Sequence, residues 1–324
     1  MTVLTLERIE RLAADPARCT AAVPPAAPDF SRPFVHEEVT QLYYTPSYSR
    51  LTRAQRIRYN QLAAVRVNEY IMMLEREFVD PVLKALRVHA AVRASAPLRR
   101  VLDGMLAEEA RHYDAFAALN RRCLPGEYGT SDWCFMRLRP YEHAALRVMS
   151  AGARWLPFAV WIILAMEESS IGLAIAMMRG ATGSALGPLD EHFLSVHREH
   201  VKDEARHIHI DVHLIRGCLA SLPRPWRAVN ARLFMSFMRD MTAPRANGTG
   251  ARVMRRLVVE FPELAPLEEQ MIRELVALKH DAAFQESLFN RRLTPLAFGL
   301  YDEEPAFADL GRVLKAYVRP AGRG

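Results

Sequence analysis

The chain has 324 residues, 50% of them hydrophobic, enough for a sizeable buried core and incompatible with wholesale disorder. Its formal charge is +6 and its pI near 9.3, but acids are interleaved with the arginines and no long like-charge run occurs, which excludes a nucleic-acid-binding tail. Cysteines 19, 123, 134 and 218 show no paired spacing and read as free thiols of a reducing cytoplasm.

Residues 1–50 are rich in proline, including Pro16, Pro24, Pro25, Pro28, Pro33 and Pro46, and read as one short helix followed by an arm. Early acids (Glu7, Glu10) and the lack of an apolar stretch argue against a signal peptide. From residue 51 the texture changes. Segment 52–92 opens on Thr52 as a helix N-cap and repeats apolar residues at helical spacing, with Pro81 expected to kink or divide it.

Segment 97–122 starts at Pro97, a favoured first helical position, and stops before Pro125-Gly126. Segment 140–180 reads as one apolar helix closing at Gly180 and a loop from Gly183 to Pro188; segment 189–222 reads as another, closed by Pro223. Further helices are expected at 224–241, 251–259 and 264–290. Trp155 to Met166 is an unbroken apolar run, too short to cross a bilayer and followed by Glu167-Glu168, so a buried core helix is expected and no membrane. Strand periodicity is nearly absent. The fold class is therefore all-α: one helical domain over 51–290, an N-terminal arm over 1–50, and a tail at 291–324 packed on the same domain.

One phrase occurs twice. Residues 108–112 read Glu-Glu-Ala-Arg-His and residues 203–207 read Asp-Glu-Ala-Arg-His, each in the middle of a long helical segment. Glu and His three residues apart share a helical face and can converge on one metal ion. A single such pair is weak evidence; its repetition in matching context is not. The bland alternative is surface salt bridging of these acids to Arg111 and Arg206.

Carboxylate-bridged metal bundles need one further Glu from each of two other helices. Glu75 and Glu167 meet that need. Glu75 to Glu109 is 34 residues and Glu167 to Glu204 is 37, spacings that suit two helical hairpins. Glu69 or Glu77 could replace Glu75, and Glu168 could replace Glu167. His200 lies on the same stripe as Glu204 and His207, where the other hairpin has Met105. The candidate ligands are Glu75, Glu109, His112, Glu167, His200, Glu204 and His207. Four carboxylates, three imidazoles and no thiolate favour iron or manganese over zinc. His209 and His213 fall off that stripe, His192 and His197 are expected at the surface or core edge, and Met72, Met73, Met177 and Met178 read as core filling.

The Glu75, Glu109-x-x-His112, Glu167 and Glu204-x-x-His207 pattern resembles ferritin-like di-iron proteins, a four-helix bundle with added N- and C-terminal helices. With His200 and the chain length, it resembles the p-aminobenzoate N-oxygenase family over about residues 50–290. The resemblance implies two iron ions, dioxygen as co-substrate, and oxidation of an amine to a hydroxylamine, nitroso or nitro product, as in antibiotic and other natural-product biosynthesis. It also implies a homodimer. No dinucleotide fingerprint is present, so electrons come from an external donor or from the substrate. The amine is a small molecule or is carried on another protein. Competing readings on the same bundle are another di-iron oxidase, an iron-storage protein, and a radical protein using a residue such as Tyr70 or Tyr113.

Overall fold

A computed structural model of the chain describes residues 2–22, 26–179, 185–219 and 221–320. Among these residues there are helices and turns but no strand. Helix α1 (Leu6–Ala13) starts at Thr5, whose side chain accepts from the Arg8 amide. The arm then runs through short 3-10 turns to Thr52. Thr52 and Gln55 form a capping box that opens α2 (Arg53–Met73).

The helix does not break at Pro81. It instead widens into a π-helical stretch, Leu74–Val79, and continues as α3 (Asp80–Leu86) with Pro81 in its first turn. Proline has no N–H and crowds the carbonyl one turn back, so the ladder is disturbed upstream of the ring. A short α4 (Ala90–Arg93) leads to α5 (Ala96–Cys123), capped by Ser95 with Pro97 in the first turn.

The single helix expected over 140–180 is two, α6 (Pro140–Gly152) and α7 (Ala159–Arg179). Pro157 lies in the break, and the amide of Phe158 donates to Asn230 Oδ1 at 2.9 Å. The expected closure at Gly180 and Gly183 lies outside the described residues. Asp190 caps α8 (Glu191–Cys218) through the Phe193 amide. Helices α9 (Arg224–Met241) and α10 (Thr249–Glu260) follow. The stretch expected as one helix over 264–290 is divided into 3-10 turns, α11 (Glu268–Ala277) and α12 (Ala282–Leu288), because Pro266 and the capping Asp281 interrupt the ladder. Helix α13 (Pro295–Glu303) completes the set.

The centre is a four-helix bundle in which α2 with the π stretch pairs with α5, α7 pairs with α8, and α5 crosses to α8. The apolar core falls into two clusters. Residues such as Leu102, Leu164 and Val212 belong to one, and Leu62, Phe116 and Phe193 to the other. Helices α5 and α7 run from the first cluster to the second, and α2 and α8 run back. Between the clusters lies a belt of buried acids and histidines. Helix α7 is long and apolar enough to cross a membrane, but it is a core helix packed on α8 and carries Glu167 and Glu168.

Helix α1 packs on α5 and α8, α10 on α2, and α9 and α13 on α7. Gly172 permits the chain after α12 to approach α7: a Cβ there would stand 3.2 Å from the Leu293 carbonyl oxygen. Cys19, Cys123, Cys134 and Cys218 are free thiols.

Candidate metal centre

All seven candidate ligands are buried. Glu75 sits on the π stretch, Glu109 and His112 on α5, Glu167 on α7, and His200, Glu204 and His207 on α8. Six of them fall into two overlapping groups, Glu75–His112–His200–Glu204 and Glu109–His112–Glu204–His207, each with ligand atoms within 4.8 Å of one another. Glu204 Oε1 is central: it lies 3.2 Å from His200 Nε2 and 3.3 Å from both His112 Nδ1 and His207 Nδ1. Glu75 Oε1 is 3.2 Å from His200 Nε2, and Glu109 Oε1 is 2.9 Å from His207 Nδ1. Glu167 stands outside both groups, against Asp211, within electrostatic reach of Glu204, His207 and Glu109.

The alternatives have other work. Glu69 accepts from the Tyr128 hydroxyl and from the amides of Cys134, Phe135 and Met136, fixing the loop between α5 and α6. Glu77 is half-exposed beside His143. Glu168 accepts from the amides of Leu296 at 2.7 Å and Ala297 at 2.9 Å, so it caps α13. Arg111 and Arg206 do meet acids, but these are Glu108 and Asp203, not the candidate ligands.

The first acid of each repeated phrase reaches across to the other phrase's histidine. Asp203 Oδ2 is 3.1 Å from His112 Nε2, and Glu108 Oε2 is 2.7 Å from His207 Nε2. An Nε2–H held this way turns Nδ1 to the belt, so loss of the second ring proton leaves the tautomer a metal needs. Buried Arg206 ties the two acids together, at 2.7 Å to Glu108 and 2.6 Å to Asp203. The N-terminal arm seals this network: the Thr20 amide donates to Asp203, and Arg206 donates to the Arg18 carbonyl. His209 and His213 hold the arm at Leu4, through its amide and its carbonyl. His197, expected at the edge, is fully buried and bonded to Asn68.

Electrostatics follow from this crowding. Burial raises the Glu75 carboxyl to about 8, the His200 bond only partly opposing it. Burial, with the charge of Asp211 added, pushes Glu167 well above the usual range. Burial also raises Asp211 to about 8. For Glu204 burial is outweighed by His200 and His207, which hold it well below the ordinary carboxylate value. For His112 burial is outweighed by the bond to Asp203 and the nearby Glu204 and Glu109 carboxylates, which raise it to about 9.

The donor set fits a pair of divalent cations. Glu75 Oε2, Glu109 Oε1, both Glu167 oxygens, His112 Nδ1 and His207 Nδ1 are buried without a well-aligned hydrogen bond, approached only by one another and by neighbouring acids of the belt. Such orphans are rare in native proteins, and six atoms converging on one belt call for a shared cationic partner. Sequence reasoning passed over Asp211, although it continues the His200, Glu204, His207 stripe by four residues and its two oxygens are orphaned too. A cavity of about 1430 Å³ reaches the belt and is lined by Glu75, Glu109, Glu167, His200 and Glu204. Tyr70 lines it as well, while the Tyr113 hydroxyl points away to Asp132.

A family model described as p-aminobenzoate N-oxygenase AurF matches residues 8–290, and the chain belongs to that family of oxygenases. The match begins inside the N-terminal arm, beyond the part of the chain in which the motifs lie. No curated protein matches the chain.

Proposed function

We propose that this member of the p-aminobenzoate N-oxygenase family is a di-iron enzyme that uses dioxygen to oxidise an amine to the hydroxylamine, nitroso or nitro level in natural-product biosynthesis. The observation that carries the reading is the belt of orphaned carboxylate and imidazole atoms at the inner end of a large cavity. Glu75, Glu109, His112, Glu167, His200, Glu204 and His207 would hold the two irons, with manganese as the alternative ion. When bound, the metal pair supplies the site and the electrons for dioxygen reduction.

The chain's own residues do the rest. Asp203 and Glu108 fix the imidazole rings through Nε2, and Arg206 holds those two acids in place. The two apolar clusters flanking the belt keep water from it. In the first oxidation one oxygen atom goes to the amine nitrogen and the other leaves as water, with two electrons from an external donor and two protons from solvent. A cavity of about 1430 Å³ opening on five of the seven ligands supports an organic substrate rather than stored iron. In this reading the amine is free or carrier-bound, and the enzyme is a cytoplasmic homodimer fed by a separate reductase.

The test is iron per chain after anaerobic ferrous reconstitution, followed by oxygen in the presence of p-aminobenzoate and related arylamines. Two irons per chain and an oxygen-dependent N-hydroxylated product are expected. Absence of bound iron, or two irons with no amine oxidised across the panel, would overturn the reading.

A further inference from the structure

The belt has an outer side as well as a cavity side. His112 and His207 turn Nε2 outward to Asp203 and Glu108, and neither these four residues nor Arg206 lines the cavity. The strap that follows α1 covers them instead. The Thr20 amide donates to Asp203 Oδ1 at 3.1 Å, and its hydroxyl donates to the Glu199 carbonyl at 3.1 Å and lies 3.4 Å from His112 Nε2. The Ala21 amide donates to Glu199 Oε2 at 3.0 Å. The Arg18 carbonyl accepts from Arg206 Nη1, while Arg206 Nη2 bridges Glu108 and Asp203.

The strap is lightly held for a segment so near the belt. Ile9 is buried, but no side chain from Glu10 to Ala22 is. Its backbone–backbone bonds, such as Ala14 to Glu10, Arg18 to Asp15 and Cys19 to Pro16, close within the strap and α1. A segment with few buried groups and solvent-exposed hydrogen bonds opens locally at far lower cost than the core does. The bundle keeps its own contacts when the strap lifts, since α5 and α7 both pack on α8. Beneath the strap lies an acid pair occupied by a cation. Arg206 sits across Glu108 and Asp203, and exposed Arg111 stands 3.6 Å from Asp203 Oδ2. A guanidinium seated there repels a metal ion arriving from outside. Its Nη1 is held by two carbonyls, that of Lys202 at 3.0 Å and that of Arg18 in the strap.

We propose that the strap over residues 18–21 is the gate of a metal port: ferrous iron reaches and leaves the belt beneath it, between Glu108 and Asp203, and not through the substrate cavity. This rests on the metal-binding part of the reading above and not on amine oxidation. Closed, the strap pins Arg206 across the two acids. Open, Arg206 loses the Arg18 carbonyl and is free to turn to solvent, and the two acids receive the incoming ion and pass it inward to His112 and His207. Donors line this route from the surface inward, since Cys19, Glu108 and Asp203 hold ligand atoms within 4.8 Å of one another. The cavity approaches the belt past Leu74, Phe78, Ile163 and Ile208, a path on which a hydrated dication gains nothing for the water it sheds. Separate doors let substrate and product exchange without exposing the metal to loss.

The experiment follows ferrous iron anaerobically on the full chain: the rate of uptake, the rate of removal by excess ferrozine, and the affinity by competition. Glu199→Ala and Ala21→Pro cut one bond from its two ends, and neither residue is a candidate ligand. Each is expected to raise both rates about tenfold with the affinity unchanged, because a gate opened more often speeds traffic in both directions alike. The double variant should be no faster than the single ones, since the bond is already lost. Amide hydrogen exchange at Thr20 and Ala21 reads the opening itself, and in Glu199→Ala it should quicken by the same factor as iron release. Rates unchanged in either variant overturn the port. So does weakened affinity with uptake no faster, which would make the strap a fixed prop of the histidines. If the variants do not fold, the unmodified protein decides: strap amides that exchange more slowly than iron leaves show that iron takes another way. A chain that binds no iron refutes the metal reading beneath this proposal, whereas two irons with strap-independent rates refute only the port.

Discussion

In each acid-Glu-Ala-Arg-His phrase, neighbouring residues serve different partners. The second acid and the histidine face the belt, and the first acid turns to the histidine of the opposite helix. Replacing Asp203 by Asn or Glu108 by Gln should therefore leave the fold intact and weaken metal binding about 10- to 100-fold, read by competition with a chelator. Unchanged affinity in both variants would show that ring orientation is set elsewhere. Glu204→Ala should be more severe, because Glu204 Oε1 is shared by three imidazoles, and it should abolish iron at one position or both. A variant retaining its full iron and turnover would refute the ligand assignment.

Proton balance gives a second prediction at the same scale. Glu75 near 8, Asp211 near 8 and His112 near 9 are protonated at pH 7 in the protein without metal. Metal ligation needs the deprotonated donors, so ferrous loading at pH 7 should release protons. The release should diminish as pH rises through 8 to 9. Calorimetry in buffers of different ionisation enthalpy measures it directly, and equal heats in phosphate and Tris would rule it out.

Single elements show how local rules were obeyed and where they gave way. Thr52, Pro97 and Asp281 act as sequence rules for helix starts require. Pro81 acted differently, displacing the ladder into a π stretch that carries Glu75, the kind of irregularity often found at functional sites. Glu167 and Glu168 are adjacent acids on one helix, about 100° apart. Only the neighbouring helices separate their roles, since α13 offers two free amides to Glu168 and none to Glu167.

Glu168→Ala should thus loosen α13 and lower stability by about 1–3 kcal/mol with iron content unchanged, as seen in thermal melts and chelator titration. Burial raises the Glu168 carboxyl to about 7 despite those two amides. A carboxyl with a raised folded-state pKa binds more protons folded than unfolded, so its contribution to stability falls as pH rises from about 4.5 through 7. Glu168→Gln should flatten that part of the stability curve. A wild-type curve with the same slope as the Gln variant would show that Glu168 is not the group responsible.

At the scale of the whole molecule, the two apolar clusters hold the belt between them, and every bundle helix contributes to both. This is a costly arrangement for the protein alone, because charges in the middle of a core need partners. Metal that binds only the folded state stabilises it by mass action, so iron loading should raise the melting temperature and a chelator should reverse the rise. A melting temperature indifferent to iron would mean the belt is satisfied without it.

The all-α class, the two histidine helices, and the candidate cluster of Glu109, His112, His200, Glu204 and His207 were legible from the chain because helical periodicity and a repeated phrase are local signals. So was the need for two more acids. The choice of Glu75 over Glu69, the role of Glu168, the burial of His197 and the place of Asp211 were not, since each depends on what an unrelated helix or loop presents to that side chain.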